Sequence, residues 1–142
     1  MKSAKTIAQA FLCLSDPEVG DVVTNLKLQK LLYYAQGFNL AINNKPLFKE
    51  DILAWEHGPV IREVYNLYRD NASAPLPVKT CPSSLTKEEK SLVENVWKVY
   101  GQFSAWKLRD MTHNESPWLN TDRNSSITHS RMKTFFKTLV TE

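Results

Sequence analysis

The stretch that decides the fold runs from residue 24 to residue 69 and reads TNLKLQKLLYYAQGFNLAINNKPLFKEDILAWEHGPVIREVYNLYR. Thr24 is a favourable N-cap, and the apolar residues after it recur at the i, i+3, i+4, i+7 spacing of one helical face. Asn-Asn-Lys-Pro at 43–46 predicts a turn. Gly58 and Pro59 predict the start of a second helix, because proline is favoured at the first helical position. We therefore expect two core helices joined by a turn and a tightly specified corner.

The first of these helices is expected to bury a single face. Its apolar positions are Leu28, Leu31, Leu32, Ala35, Phe38 and Ile42. Lys27, Lys30 and Asn39 fall outside this set, and we expect them to meet water. Residues 47–56, which follow the turn, fit either a short strand or a single helical turn.

The remaining helices follow from apolar spacing and capping residues. Residues 4–15, 60–70, 86–100 and 128–140 are each expected to be helical, Ser104 caps a shorter helix, and Leu67, Val99 and Leu139 should face the core. Thr86 and Glu89 match a capping box, and Gly101 is expected as the C′ residue of that helix. The fold class is mostly α: a compact single-domain helical bundle of about six helices, with a short β element considered near residues 50–56 and 72–80.

Length and composition indicate one globular domain. The chain has 142 residues, of which 42% are hydrophobic and 23% charged, so it can bury a continuous core. We treat residues 1–142 as one domain with a core over residues 4–140. The net charge of +3 is too small to indicate nucleic acid binding by itself. Positive charge is concentrated late in the chain, at Arg123, Arg131, Lys133 and Lys137. We interpret this set as a solvated helix face, with a surface for an acidic partner as the alternative.

The two cysteines, Cys13 and Cys81, lack the spacing of a metal site. Cys13 lies in an apolar helical stretch and is expected to be a buried thiol, whereas Cys81 lies in a proline-containing loop. Free thiols in a reducing cytoplasm are the simplest interpretation. The N-terminal residues do not resemble a signal peptide, and no segment approaches the roughly 20 apolar residues of a membrane span.

Five short motifs occur in a characteristic order along the chain. They are KLQKLLYYAQG at 27–37, KPLF at 45–48, AW-x-HGPV at 54–60, YG with SAW at 100–106, and TH-x-E-x-PW at 112–118. Each motif is weak alone, but the order of all five is specific. Over residues 4–140 this order resembles the Panacea domain, the SocA-like antitoxin family.

The resemblance implies a small, mostly helical bacterial or prophage protein that acts by binding another protein. Members of the family neutralise toxins of many kinds by direct complex formation, so we expect a protein partner, no cofactor and no enzymatic activity. Many members also carry an N-terminal DNA-binding region, for which this chain has no room, so nucleic acid binding is not expected. The alternatives are a prophage-encoded adaptor that presents a partner to a protease, a binder of a host factor, and an enzyme with an unrecognised site.

Eight residues are expected to contact a partner. They are Trp55, His57, Pro59, Val60, Tyr65, Tyr68, Lys133 and Lys137. Tryptophan and tyrosine are enriched at interfaces, and lysines can steer an acidic partner. The competing interpretation is structural: Trp55 fills the core, Gly58 allows an unusual backbone angle, and Pro59 starts a helix. Tyr33 and Tyr34 are expected to be half-buried, with their hydroxyl groups directed outward.

His113 and Glu115 form the one arrangement that suggests catalysis. His-x-Glu opens the zinc-deaminase signature, but that site also requires Pro-Cys-x-x-Cys, and neither cysteine fits. His57, His113 and His129 are too scattered in sequence to indicate a metal site. Glu115 is therefore expected to order its loop, with Trp118 packed against the bundle. No catalytic, metal-binding or cofactor-binding residue is predicted.

Overall fold

A computed structural model describes residues 1–78 and 80–140, and this part of the chain forms seven α-helices and one two-stranded antiparallel sheet. In chain order the elements are α1 (Ala4–Leu14), α2 (Asn25–Asn43), β1 (Leu53–Trp55), β2 (Gly58–Val60), α3 (Arg62–Leu67), α4 (Lys87–Tyr100), α5 (Ala105–His113), α6 (Ser116–Leu119) and α7 (His129–Lys137). The predicted mostly α fold is confirmed. β1 falls inside the segment 50–56 considered for β structure, whereas residues 72–78 and 80 form no strand.

The predicted N-caps of α2 and α4 are confirmed by their capping bonds. Thr24 Oγ1 accepts a hydrogen bond from the Lys27 N–H group at 3.3 Å and begins α2. Thr86 and Glu89 exchange side-chain to backbone bonds of 3.1 and 2.8 Å in a capping box that begins α4. The end of α4 differs in detail from the prediction, because Gly101 is its C-cap with a right-handed φ of −63°. It is therefore not a left-handed C′ residue.

α2 lies at the centre of the fold, in contact with α1, α3, α4, α5, α7 and β2. The prediction that it buries one face only is wrong, since Lys27 is 7%, Lys30 0% and Asn39 5% exposed. Conversely, Ile42 near its C-terminal end is 56% exposed, although it was expected in the core. Neighbouring elements explain the burial of the polar positions, because a helix that is contacted from several sides buries more than one face along most of its length.

The buried polar side chains of α2 hold the backbone of segments distant in sequence. Gln36 accepts hydrogen bonds from the N–H groups of Leu47 at 2.7 Å and Phe48 at 3.2 Å, and donates to the Phe48 carbonyl at 2.9 Å. Lys27 Nζ donates to the Gly101 carbonyl at 2.6 Å and so ties α2 to the end of α4. Because a buried polar group is costly only when it lacks a partner, these contacts make polar residues compatible with a central helix.

β1 and β2 form a hairpin at the predicted corner. Trp55 pairs with Gly58, so the two residues between them form the turn. Gly58 has a φ of +111°, which confirms the expected unusual backbone angle. Pro59 lies within β2, so the expectation that it starts a helix is wrong, and α3 is shorter than the predicted helix over 60–70. Leu67, at the end of α3, is 51% exposed instead of buried.

Cys13 and Cys81 form a disulfide bond with an S–S distance of 2.10 Å, so the expectation of free thiols is wrong. The bond joins α1 to the loop that precedes α4 and closes a loop across 68 positions of sequence. The sequence spacing gave no sign of it, because the two residues are brought together by the packing of α1 against α4. Among the described residues, no helix has both the length and the apolar character needed to cross a bilayer.

Candidate partner-binding cleft

A surface cavity of about 700 Å³ opens where the β1–β2 hairpin meets the N-terminal ends of α2 and α5. Its walls include Trp55, His57, Val60, Tyr65, Arg69 and Trp106, and we refer to it as the aromatic cleft. The volume lies within the range of roughly 300–1,000 Å³ that is typical of sites for small molecules or inserted side chains.

Two tryptophans, Trp55 and Trp106, line the cleft. Trp55 contacts Tyr65 edge to face, with ring centroids 5.1 Å apart, and its carbonyl accepts a 2.7 Å hydrogen bond from Trp118 Nε1. Trp106 is 60% exposed, and the Arg109 guanidinium lies 5.2 Å from the centre of its ring. Trp55 is thus fixed by its neighbours, while Trp106 presents a large apolar surface to solvent.

His57 lies at the hairpin turn and is held by α5. Its Nδ1 accepts a hydrogen bond of 3.2 Å from Arg109 Nε. Because Nδ1 is the acceptor, the neutral ring carries its hydrogen on Nε2. His57 also lies edge-on to Trp106, with ring centroids 6.1 Å apart. The contact orients a hydrogen-bond donor beside the exposed indole.

The β1–β2 hairpin is supported by the side chain of Lys30 on α2. This side chain is fully buried, and its Nζ donates to the Pro59 carbonyl at 3.1 Å. Burial, together with the nearby positive charge of Arg109, lowers the pKa of Lys30 to about 7. A Cβ on Gly58 would lie 2.8 Å from Lys30 Cε and 2.9 Å from Thr112 Oγ1. Position 58 therefore requires glycine for its backbone angle and for the close approach of the lysine.

The eight residues predicted to contact a partner fall into separate regions. Trp55, His57, Val60 and Tyr65 line the aromatic cleft. Pro59 is buried in β2, and Tyr68 lines a different, smaller cavity with Leu12.

The two predicted lysines lie elsewhere, on α7. Lys133 donates a hydrogen bond to Asn44 Oδ1 at the C-terminal end of α2, and Lys137 is exposed one helical turn further on. The 19-residue α2 is roughly 28 Å long, so its two ends separate Asn44 from the cleft residue Thr24.

Trp106 lines the cleft and Arg109 lies against its indole ring, although neither residue is among the eight that were predicted to contact a partner. One signal could have found Trp106: it lies just inside the helix capped by Ser104, away from the buried Leu108. A tryptophan on the polar side of a short helix is a candidate for recognition. Arg109 has no comparable signal, because its contact with His57 joins residues 52 positions apart.

Another cavity, of about 380 Å³, lies near the C-terminal end of α2. Its lining includes Phe38, Ile42, Val96, Val99 and Leu139, and we refer to it as the apolar groove. Val99 is 51% and Leu139 42% exposed, although both were expected to face the core.

The His-x-Glu segment has a structural role in this fold. The hydroxyl groups of Tyr33 and Tyr34 each donate to Glu115 at 2.9 Å. Both tyrosine rings are fully buried, so the expectation of outward hydroxyl groups is wrong. Glu115 is the N-cap residue of α6 and links that helix to α2, as expected for a residue that orders its loop.

His113 stacks on Trp118, with ring centroids 4.0 Å apart and an angle of 9° between the planes. Its buried Nε2 has no hydrogen-bond partner among residues 1–78 and 80–140. Trp118 packs against the core cluster, as predicted. Across the same residues, no group of three histidine, cysteine, aspartate or glutamate side chains is close enough to hold a metal ion.

Replacement of Glu115 by glutamine should change how stability depends on pH. Burial raises the pKa of Glu115 from 4.5 to about 7, an effect partly offset by the two tyrosine hydrogen bonds. Between these pH values the folded state retains a proton that the unfolded state has lost. The unfolding free energy of the wild type should therefore fall relative to that of Glu115→Gln as pH rises through this window, by about 1–2 kcal/mol.

Urea unfolding at several pH values across this window measures the difference between the two proteins. Glu94→Gln, on an exposed position of α4, is the matched control for removal of a carboxylate charge. A difference between Glu115→Gln and the wild type that stays constant across the window would show that the buried carboxyl has an ordinary pKa.

The fold and the cleft together define a class of protein: a small helical domain with a preformed, aromatic-rich surface cleft. The profile of the family described as "Antitoxin SocA-like, Panacea domain" matches residues 28–119, well over half of the chain. The protein belongs to this Panacea domain family, as its five motifs predicted.

Comparison with individual proteins gives a named relative. The chain is 38% identical over 71 residues to the antitoxin SocA of Caulobacter vibrioides (strain NA1000 / CB15N). The matched segment makes up 49% of this chain and 38% of SocA, so less than half of that relative is represented. No solved structure matches the chain.

Proposed function

We propose that this protein is a non-enzymatic antitoxin that neutralises a cognate toxin by direct binding, with the aromatic cleft at the centre of the interface. The family and the relative SocA, itself named an antitoxin, support the first part. The observation that carries the second part is Trp106, which is 60% exposed on the wall of a 700 Å³ cleft. As part of this proposed function, we propose that the protein acts in the bacterial cytoplasm.

The contacts around the cleft favour its use as an interface. Binding residues that dominate affinity are usually tryptophan, tyrosine and arginine held in fixed positions, and the cleft contains all three types. Trp55 is fixed by Tyr65 and by Trp118, and Trp106 is flanked by Arg109. Preorganised side chains lose little conformational entropy on binding, so burial of their apolar surface contributes more fully to affinity.

Lys133 and Lys137 have a secondary role in this proposal. They lie on α7, where Lys133 bonds to Asn44 at the end of α2 that is farther from the cleft, and neither lysine lines the cleft. Exposed charges at the edge of an interface mainly increase the rate of association with an oppositely charged partner. We assign the two lysines to the attraction of an acidic toxin surface, and not to the central contact.

Neutralisation can be tested by growth. Proteins encoded next to this one are expressed singly in a bacterial host, and one of them is expected to arrest growth. Wild-type protein should restore growth and co-purify with that toxin, whereas Trp106→Ala should do neither. Val99→Ala, in the apolar groove, is the matched control and should behave as the wild type.

Each other outcome contradicts part of the proposal. If no neighbouring protein is toxic and none co-purifies, the protein is not an antitoxin of this type. Recovery of a host protease or regulator in place of a toxin would favour the adaptor or host-factor alternative. Rescue by Trp106→Ala but not by Val99→Ala would move the interface to the apolar groove.

A further inference from the structure

We propose that the aromatic cleft binds a segment of a partner protein that combines a large apolar side chain with a neighbouring carboxylate. The inference rests on the proposed function, because it describes the chemistry of the partner at the same site. It follows from the hydrogen-bonding groups and charges that the cleft leaves available.

The aromatic walls of the cleft present mainly hydrogen-bond donors. Trp55 Nε1, Trp106 Nε1 and the Tyr65 hydroxyl lie on residues that line it, as does His57, whose Nδ1 is already occupied by Arg109. Within residues 1–78 and 80–140, none of these four side chains donates a hydrogen bond. An indole N–H can only donate, and the His57 tautomer leaves Nε2 as a donor. The complementary groups on a ligand are therefore acceptors.

Two of the three amide side chains that line the cleft, those of Gln29 and Asn25, already make hydrogen bonds. Gln29 Nε2 donates to Asn25 Oδ1 at 2.9 Å, and Gln29 Oε1 accepts from the Ile61 N–H group at 2.9 Å. Asn25 Nδ2 in turn donates to the Tyr65 carbonyl at 3.1 Å. These residues hold the cleft together, and their acceptor oxygens are not available to bind donors on a ligand.

The charges around the cleft favour a negatively charged group. Arg69 lines the cavity, and Arg109 lies against both Trp106 and His57. Glu56 is the one carboxylate among the described lining residues. The ion pair between Arg109 and Asp110 is 3.2 Å long, but the Asp110 side chain is 66% exposed, so it neutralises the arginine only weakly. A carboxylate beside His57 and Arg109 would meet two donors and a positive charge.

The apolar part of the cleft requires a second feature in the ligand. Leu26, Val60 and Ala105 also line the cavity, and most of its exposed surface is carbon. A free anion would leave this surface in contact with water, whereas a leucine, phenylalanine or tryptophan side chain would cover it. The combination of apolar and acidic neighbours is characteristic of a polypeptide segment.

Recognition should take place through side chains and not through addition of a strand. The outer edge of β1 is occupied, because the Ala54 N–H group donates to the Ser125 carbonyl and the Ala54 carbonyl accepts from the Asn124 N–H group. The outer edge of β2 faces α2, where Lys30 bonds to the Pro59 carbonyl. Neither edge of the hairpin can pair with an incoming strand.

A random dodecapeptide library displayed on phage, selected on the full-length protein, tests this inference. Peptides that also bind Trp106→Ala are removed by counter-selection. The remaining peptides are expected to share a large apolar residue next to aspartate or glutamate. In a synthetic peptide of this type, replacement of the acid by its amide should weaken binding about tenfold or more, as should His57→Ala in the protein.

Val99→Ala is the control and should bind the peptide like the wild type, and the thermal unfolding of each variant verifies its fold. Failure to select peptides that depend on Trp106, selection of basic sequences, or an acid-to-amide change without effect would each overturn the inference. The growth experiment separates this from the proposed function. If neutralisation requires Trp106 but the selected peptides contain no acidic residue, the antitoxin function is retained and the proposal of an acidic partner segment is rejected.

Discussion

Gly37→Ala is expected to destabilise the protein by about 2 kcal/mol, although alanine is the better helix former by about 1 kcal/mol. Gly37 lies within α2, and a Cβ at this position would be 2.1–2.5 Å from ring atoms of Phe136 on α7. The Phe136 ring is fully buried and packs edge-on against Tyr33, Tyr34 and Phe38, at centroid distances of 5.3, 5.9 and 4.9 Å. The ring cannot move without displacing this cluster.

The magnitude follows from two opposing effects. Overpacking of a dense core costs roughly 3 kcal/mol in such cases, and the gain in helix propensity offsets about 1 kcal/mol of it. Chemical denaturation of Gly37→Ala and the wild type measures the net effect. Phe136→Leu supplies the control. In the wild-type background this substitution should lower the free energy of unfolding. In the Gly37→Ala background it should lower it much less, because the smaller side chain leaves room for the new methyl group. A stabilised Gly37→Ala variant would show that α2 and α7 are not in such close contact.

Features of the fold that depend on neighbours in sequence could be predicted. Thr24, Ser104 and the Thr86–Glu89 capping box begin their helices as expected, because each cap bonds to a backbone N–H group within three residues. The turn after α2 was also predicted, and Asn44 has the left-handed backbone, φ +59°, that asparagine tolerates.

Features that depend on distant contacts could not be predicted. Lys30 is charged and falls outside the apolar stripe of its helix, so local pattern places it in water. In the fold it meets the Pro59 carbonyl, 29 positions away, under a hairpin that covers it. The burial of Tyr33 and Tyr34 has the same origin, because their hydroxyl groups find Glu115 more than 80 positions away. Hydrophobic periodicity contains no information about such partners.

The candidate site was predicted in part for the same reason. Trp55, His57, Val60 and Tyr65 come from one continuous stretch whose composition suggests an interface. Trp106 lines the cleft, and Arg109 lies beside it, only because α5 packs against the hairpin and α2. When a surface is assembled from separate segments, the sequence indicates only the part that comes from one continuous stretch.

Trp106→Ala is expected to reduce the affinity for the cognate toxin by roughly 2–4 kcal/mol, which corresponds to about 30-fold to 1,000-fold in Kd. The side chain is 60% exposed in the free protein, so its removal should change the stability of the fold little. In the complex the indole would be buried beside Trp55, His57 and Arg109, and its loss would leave a cavity between already ordered groups. The expected effect is therefore on binding and not on folding.

The affinity of the purified toxin for three forms of the protein tests the central claim most directly. Calorimetric titration of the wild type, Trp106→Ala and Val99→Ala compares the aromatic cleft with the apolar groove under identical conditions. We predict that the wild type and Val99→Ala bind with the same Kd, and that Trp106→Ala binds at least about 30-fold more weakly. Equal affinities for the wild type and Trp106→Ala would contradict the account, because the aromatic cleft would then lie outside the interface.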